Sequence, residues 1–133
     1  MKIVIQTIEP NSKEFIGEGE KGDWRTIDGV LEIKVAKMPD KRMELLLAIH
    51  ELIEALLCAE RGITAEMVDT FDLNFKGEGE AGDDMNAPYR LEHFFAESIE
   101  RLFASELGVD WLEYSKAFKL LTGLCPSGIF LPS

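Results

Sequence analysis

Cysteine, histidine and basic side chains are scarce in this 133-residue sequence, and each scarcity closes off a class of protein. The two cysteines, Cys58 and Cys125, form neither a C-x-x-C pair nor a disulfide framework, which removes thiolate zinc modules and disulfide-stapled secreted scaffolds. Cys58 reads instead as a buried free thiol in a reducing cytoplasm. Only 14 Lys and Arg face 25 Asp and Glu, giving a net charge of −11 and a pI of about 4.6. Such a surface repels phosphate backbones and anionic lipid, so no nucleic acid and no membrane is expected as a partner, whereas divalent metals and cationic groups are favoured. No apolar run approaches the roughly 20 residues needed to span a bilayer. The start, Met1 to Ile5, turns polar by Gln6 and Glu9 and is too short for a signal peptide. The reading is a protein that stays in the cytoplasm of the cell that makes it.

What is present fits one domain over residues 1–133 with room for a core. Lys2 to Ile8 is β-rich and ends at Glu9-Pro10-Asn11. Asp28-Gly29 is a hairpin turn between strands Trp24–Ile27 and Val30–Ala36, the second of which alternates between a drier and a wetter face. A helix follows from Asp40 as N-cap to Gly62, with Leu45, Leu46, Ile49, Leu52, Ile53, Leu56 and Leu57 as its apolar face. Thr64 starts a short helix to about Phe71. Asn86 caps a second long helix, with Pro88 in its first turn and Gly108 as its stop. Asp110 caps a third, stopped by Gly123. The apolar tail Cys125 to Pro132 would pack across the domain or against a second subunit, so a homo-oligomer is open. The expected fold is α+β: a small N-terminal antiparallel sheet packed on two long helices plus a C-terminal helix.

The central helix carries His50-Glu51-Leu52-Ile53-Glu54. At about 100° per residue, His50 and Glu54 come together on one flank of the apolar face, with Glu51 further round. That is a ligand-type pair plus a carboxylate able to act on water, one residue type removed from H-E-x-x-H. A third ligand must come from elsewhere, and the helix after Asn86 offers Glu92 or His93, the latter being the second of only two histidines. On the same wheel Glu92 falls inside the apolar arc of Leu91, Phe94, Phe95, Ile99, Leu102 and Phe103, while His93, Glu97 and Glu100 lie on the polar side. A carboxylate in a dry interface costs several kcal/mol unless paired or bound. Its alternative to metal is a salt bridge with Arg90 or Arg61.

Two glycine-rich acidic segments repeat: Phe15 to Asp23 and Phe75 to Asp83 match at seven of nine positions. They read either as solvated loops or as loops ordered around a divalent cation through Glu18, Glu20 and Asp23 with Glu78, Glu80, Asp83 and Asp84. Neither has EF-hand spacing.

The order strand, hairpin, H-E-x-x-E helix and later acidic helix resembles a minimal zincin metallopeptidase of the gluzincin kind. There the third ligand is a glutamate in E-x-x-x-A/D, which Glu92-His-Phe-Phe-Ala96 fits. Glu54 stands where that family has histidine. The resemblance implies zinc on His50, Glu54 and Glu92 or His93, metal-bound water activated by Glu51, and a peptide or protein substrate. Residues 50–58 and 87–102 also resemble segments of small uncharacterised phage and prophage proteins, which implies a bacterial host cytoplasm. Two alternatives stand beside the hydrolase. One is a non-enzymatic phage accessory protein using the same residues as a structural metal clip or buried polar network. The other is an all-helical, magnesium-dependent nucleoside triphosphate pyrophosphohydrolase, imitated by Glu51-x-x-Glu54 and Glu97-x-x-Glu100.

Overall fold

The Asp28-Gly29 turn has both residues at positive φ (50° and 79°), the type I′ geometry whose twist matches a tight hairpin. It joins β2 (Gly22–Ile27) to β3 (Val30–Ala36), while β1 (Lys2–Ile8) lies on the other side of β3, so the order is β1-β3-β2. The computed structural model describes residues 1–15 and 21–121. Of the sequence expectations, Glu18, Glu20, the Gly123 stop and the tail from Cys125 to Pro132 lie outside the described residues.

The fold is α+β, with four α-helices among the described residues: α1 (Lys41–Glu60), α2 (Ala65–Asn74), α3 (Arg90–Leu107) and α4 (Trp111–Leu121). The sheet corrects one expectation. It is antiparallel only between β2 and β3, because β1 pairs with β3 in parallel, Lys2 opposite Val30 through Ile8 opposite Ala36. Two chain reversals leave β1 and β3 pointing the same way. Strand β1 ends beside Ala36 and β2 begins beside Val35, on opposite sides of β3, so the apolar centre strand is flanked on both sides.

Helix boundaries follow their caps. Asp40 accepts a hydrogen bond from the Arg42 amide (2.8 Å) and Asp110 from the Glu113 amide (3.0 Å), while Gly108 ends α3 at φ 71°. Thr64 caps α2, which runs on to Asn74, beyond the expected Phe71. In contrast, α3 begins at Arg90 with no side-chain cap; Asn86 to Pro88 form the turn before it.

Ile33 and Val35 on β3 point from the sheet into a core shared with Trp24, Leu46, Leu47, Ala55 and Cys58, so α1 lies across the sheet's inner face. Leu46 is fully buried; removing such a side chain costs about 2–5 kcal/mol. Helix α3 runs antiparallel to α1 and is fastened at both ends, by Arg42 Nη1 donating to the Leu107 carbonyl (3.1 Å) and by Arg61 Nη1 to Glu92 Oε2 (2.9 Å).

The faces these two helices bury differ from the hydropathy reading. On α1 the inward residues are Leu46, Leu47, His50, Glu54 and Cys58, while Leu45 and Leu56 are exposed. Helix α3 is inverted. His93, Ala96, Glu100 and Ala104 face inward, and Leu91, Phe94, Phe95 and Leu102 are exposed. Small alanines permit the close approach of α3 to α1, and the polar side chains between them are buried because they pair with one another.

Candidate metal centre

His50 and Glu54 stand one turn apart on α1, and His93 faces them from α3. His50 Nε2 lies 3.3 Å from Glu54 Oε2 and 3.2 Å from His93 Nδ1, and His93 Nδ1 lies 3.0 Å from Glu54 Oε2. All three residues are buried. Donor atoms held at about 2.0–2.1 Å by one tetrahedral ion are about 3.3 Å apart. The triangle therefore has the edge length of three ligands on a single metal, and all three residues line one cavity.

Each α1 donor has a fixed outer partner. Glu100 accepts from His50 Nδ1 (2.8 Å) and from the Tyr114 hydroxyl (2.5 Å). Burial, then the Glu100 carboxylate, raises the Tyr114 pKa far above the ordinary phenol value, so this hydroxyl keeps its proton and donates. With the His50 proton on Nδ1, its Nε2 lone pair faces the triangle; this carboxylate–histidine arrangement orients metal-binding imidazoles. Glu54 is held through its other oxygen, where Trp24 Nε1 on β2 donates at 3.1 Å.

The electrostatics call for positive charge at the triangle. Burial works against a charged His50, yet hydrogen bonds to Glu100 and Glu54 raise its pKa well above 6.5. Burial alone would raise Glu54, but hydrogen bonds from His50 and His93 lower it to about 2. His93 is raised as well, burial opposing and Glu54 favouring its charge. Protons fill the triangle when no metal does, and a metal must displace them.

The centre opens into a cavity of about 460 Å³, whose lining among the described residues has eight acidic residues against two lysines. Glu51 is half-buried in this wall. It lies against Gly22, where an added Cβ would come within 3.0 Å of its Cγ. Beyond it, Tyr89 donates to Asp72, whose pKa burial raises to about 6.

Of the expected site residues, His50, Glu54 and His93 converge and Glu51 shares their pocket. Glu92 does not join them. It is buried one turn before Ala96, further along the same interface, and pairs with Arg61, which corrects its assignment as a metal ligand in favour of the salt bridge. Of the described acidic-loop residues, Glu80 and Asp83 reach His93, whereas Asp84 accepts from the Asn86 amide and Asp23 is buried on β2 near Arg25. Trp24 and Tyr114 were not anticipated, and Glu100 was read only as half of the magnesium motif Glu97-x-x-Glu100 and not as the partner of His50. The readable signal for Glu100 was the inward stripe His93, Ala96, Glu100, Ala104, at spacings of three and four with small residues between.

Comparison with known proteins places this chain beside none of them: no family model, curated protein or solved structure matches it. Among the described residues, no helix is long and apolar enough to cross a membrane. The functional reading therefore rests on the geometry of the pocket.

Proposed function

We propose that His50, Glu54 and His93 hold a zinc ion and that the chain is a metal-dependent hydrolase acting on peptide bonds. The observation carrying this reading is the triangle of lone-pair donors 3.0–3.3 Å apart, with Glu100 and Trp24 fixing its two α1 members from outside. Two histidines and one glutamate form a known donor set of catalytic zinc sites. Relative to the gluzincin pattern, the ligand types are exchanged between the helices, with glutamate on the first and histidine on the second.

Zinc in such a site lowers the pKa of a coordinated water towards about 7 and polarises a carbonyl. Glu51 takes a proton from the attacking water and delivers it to the leaving amine nitrogen. His50 and Glu54 stay fixed through this transfer, because Glu100 and Trp24 hold their orientation. Strand β2 is an edge of the sheet and contributes Gly22, Asp23 and Trp24 to the pocket wall. An extended peptide laid along that edge would present its backbone to Glu51. The acidic lining favours a substrate with basic side chains.

A second reading, a structural metal or purely polar network, is supported by the hydrogen bonds that already join all three donors. The triphosphate pyrophosphohydrolase reading is weaker, because those proteins are all-helical and this one has a three-stranded sheet. The deciding experiment is metal analysis of the purified protein together with peptide cleavage by the Glu51→Gln variant. One zinc per chain, retained in Glu51→Gln while cleavage is lost, supports the hydrolase. Zinc without cleavage in either protein selects the structural metal, and a metal-free chain whose melting is unchanged by chelator or added zinc removes both zinc readings and leaves the polar network.

A further inference from the structure

His93 is buried to 96% by its 4% exposure, and its ring is held against His50 (centroids 4.7 Å apart) and Tyr89 (6.0 Å). Its Nδ1 belongs to the triangle. Its Nε2 is buried, points the other way, and has no hydrogen-bond partner among the described residues. A buried imidazole nitrogen left so is destabilising unless a ligand meets it. The atoms ahead of it are carboxylate oxygens in ion-pair range that make no hydrogen bond to it, Asp83 Oδ1 at 3.4 Å and Glu80 Oε1 at 3.6 Å. Glu97, one turn along α3, completes a set of four ligand atoms all within 4.8 Å of one another.

The loop is shaped for this approach. Gly82, inside a 3-10 turn over Ala81–Asp83, lies so close to the ring that an added Cβ would stand 2.5 Å from His93 Cγ. Glycine there lets the backbone rest on the imidazole, which brings its neighbours Glu80 and Asp83 to the outer nitrogen. Three carboxylates gathered at one ring edge in an already acidic pocket repel one another, and a divalent ion among them would offset that repulsion more fully than a single ring proton does. Separations of 3.4–3.6 Å, long for a hydrogen bond, suit neighbouring ligands of one divalent ion.

We propose a second divalent-cation site at the pocket mouth, formed by Glu80, Asp83, Glu97 and His93 Nε2. Mostly oxygen donors with one imidazole suit manganese(II). The site extends the reading above only through His93, whose Nδ1 would serve the inner ion and whose Nε2, once its ring proton has passed to solvent, would serve the outer one, so that with both ions bound the ring bridges them as an imidazolate. It also gives the second acidic glycine-rich segment a role: its glycine seats the loop and its acids close over the ion.

The test is equilibrium dialysis against zinc(II) and against manganese(II), with metal content measured per folded chain. The proteins are wild type, Glu80→Gln with Asp83→Asn, and His50→Ala; circular dichroism confirms folding. Expected are two equivalents in wild type, the weaker one lost or weakened at least tenfold in the loop double variant, and that equivalent kept in His50→Ala while the tighter one is lost. The double variant changes exposed side chains, so its fold is retained. One equivalent in wild type, unaltered by the loop double variant, overturns the outer site and leaves the inner one standing. Failure of the inner site shows separately, as a metal count that His50→Ala does not reduce.

Discussion

Exchanging Glu100 for glutamine tests whether the network around His50 exists to serve a metal. Glu100 receives two donors, His50 Nδ1 at 2.8 Å and the Tyr114 hydroxyl at 2.5 Å. Glutamine keeps the shape. Its single carbonyl oxygen still accepts from His50, and its amide turns a donor toward Tyr114, whose oxygen can accept. What disappears is the negative charge behind the imidazole, which raises ligand basicity and holds the tautomer with Nε2 free. Loss of such a partner lowers metal affinity about 10–100-fold, or about 1.4–2.7 kcal/mol. The metal-free fold should change less, because both hydrogen bonds can re-form. The assay is competition for zinc with a chromophoric chelator, alongside thermal melting of the chelated protein. Affinity within twofold of wild type in a folded Glu100→Gln protein would refute the argument, since the network would then stabilise only the apo structure.

Gly82→Ala should weaken zinc binding at least tenfold with little change in helix content, because a methyl 2.5 Å from His93 Cγ must push the ring or lift the loop; unchanged affinity by the same competition assay would mean the loop yields freely. Trp24→Phe removes the donor to Glu54 Oε1 and should reduce both metal affinity and stability, by about 1–2 kcal/mol in chemical denaturation. pH acts with opposite sign on the two forms. His50 is raised above its unfolded value of 6.5, so its contribution to the metal-free fold is complete below that pH and is lost as pH climbs through the raised value. Metal needs the imidazoles deprotonated, so its increment grows over the same interval. Calorimetry from about pH 6 to about pH 8.5 should show the chelated melting temperature falling while the gap to the zinc-loaded protein widens; a narrowing gap contradicts the ligand assignment. Finally, burial raises the Cys58 thiol to about 12, so in a Cys125→Ser background alkylation should proceed only as fast as the protein opens, read by mass spectrometry with and without denaturant.

The elements were legible where their signals are local. Asp28-Gly29, Asp40, Thr64, Gly108 and Asp110 act on backbone groups within a few residues, and the structure uses each for the turn or helix end its chemistry favours. Strand neighbours were not legible, because the pattern within β1 is the same whether it pairs with β2 or β3. The pair His50 and Glu54 follows from helical spacing alone. Choosing between Glu92 and His93 required knowing which face of α3 turns inward, and there the rule that apolar residues mark the buried side gave the wrong face. Helix α3 buries acids and an imidazole because each finds a partner across the interface; whether that partner exists is a property of the docked helices, invisible in either sequence segment. Trp24 and Tyr114 reach the cluster only through tertiary contact, so nothing in their own neighbourhoods announces them.

The clamp between Trp24, Glu54, His50, Glu100 and Tyr114 is a single chain of contacts drawn from β2, α1, α3 and α4. Replacing one link strands the next, so in descendants of this sequence these five positions should change together or not at all. The bulky outward stripe of α3 has no such bond to anything within the described residues and is free to drift. Divergent copies are therefore best sought by that linked quintet and the two histidine-bearing turns, because overall identity would be diluted by positions under no such restraint.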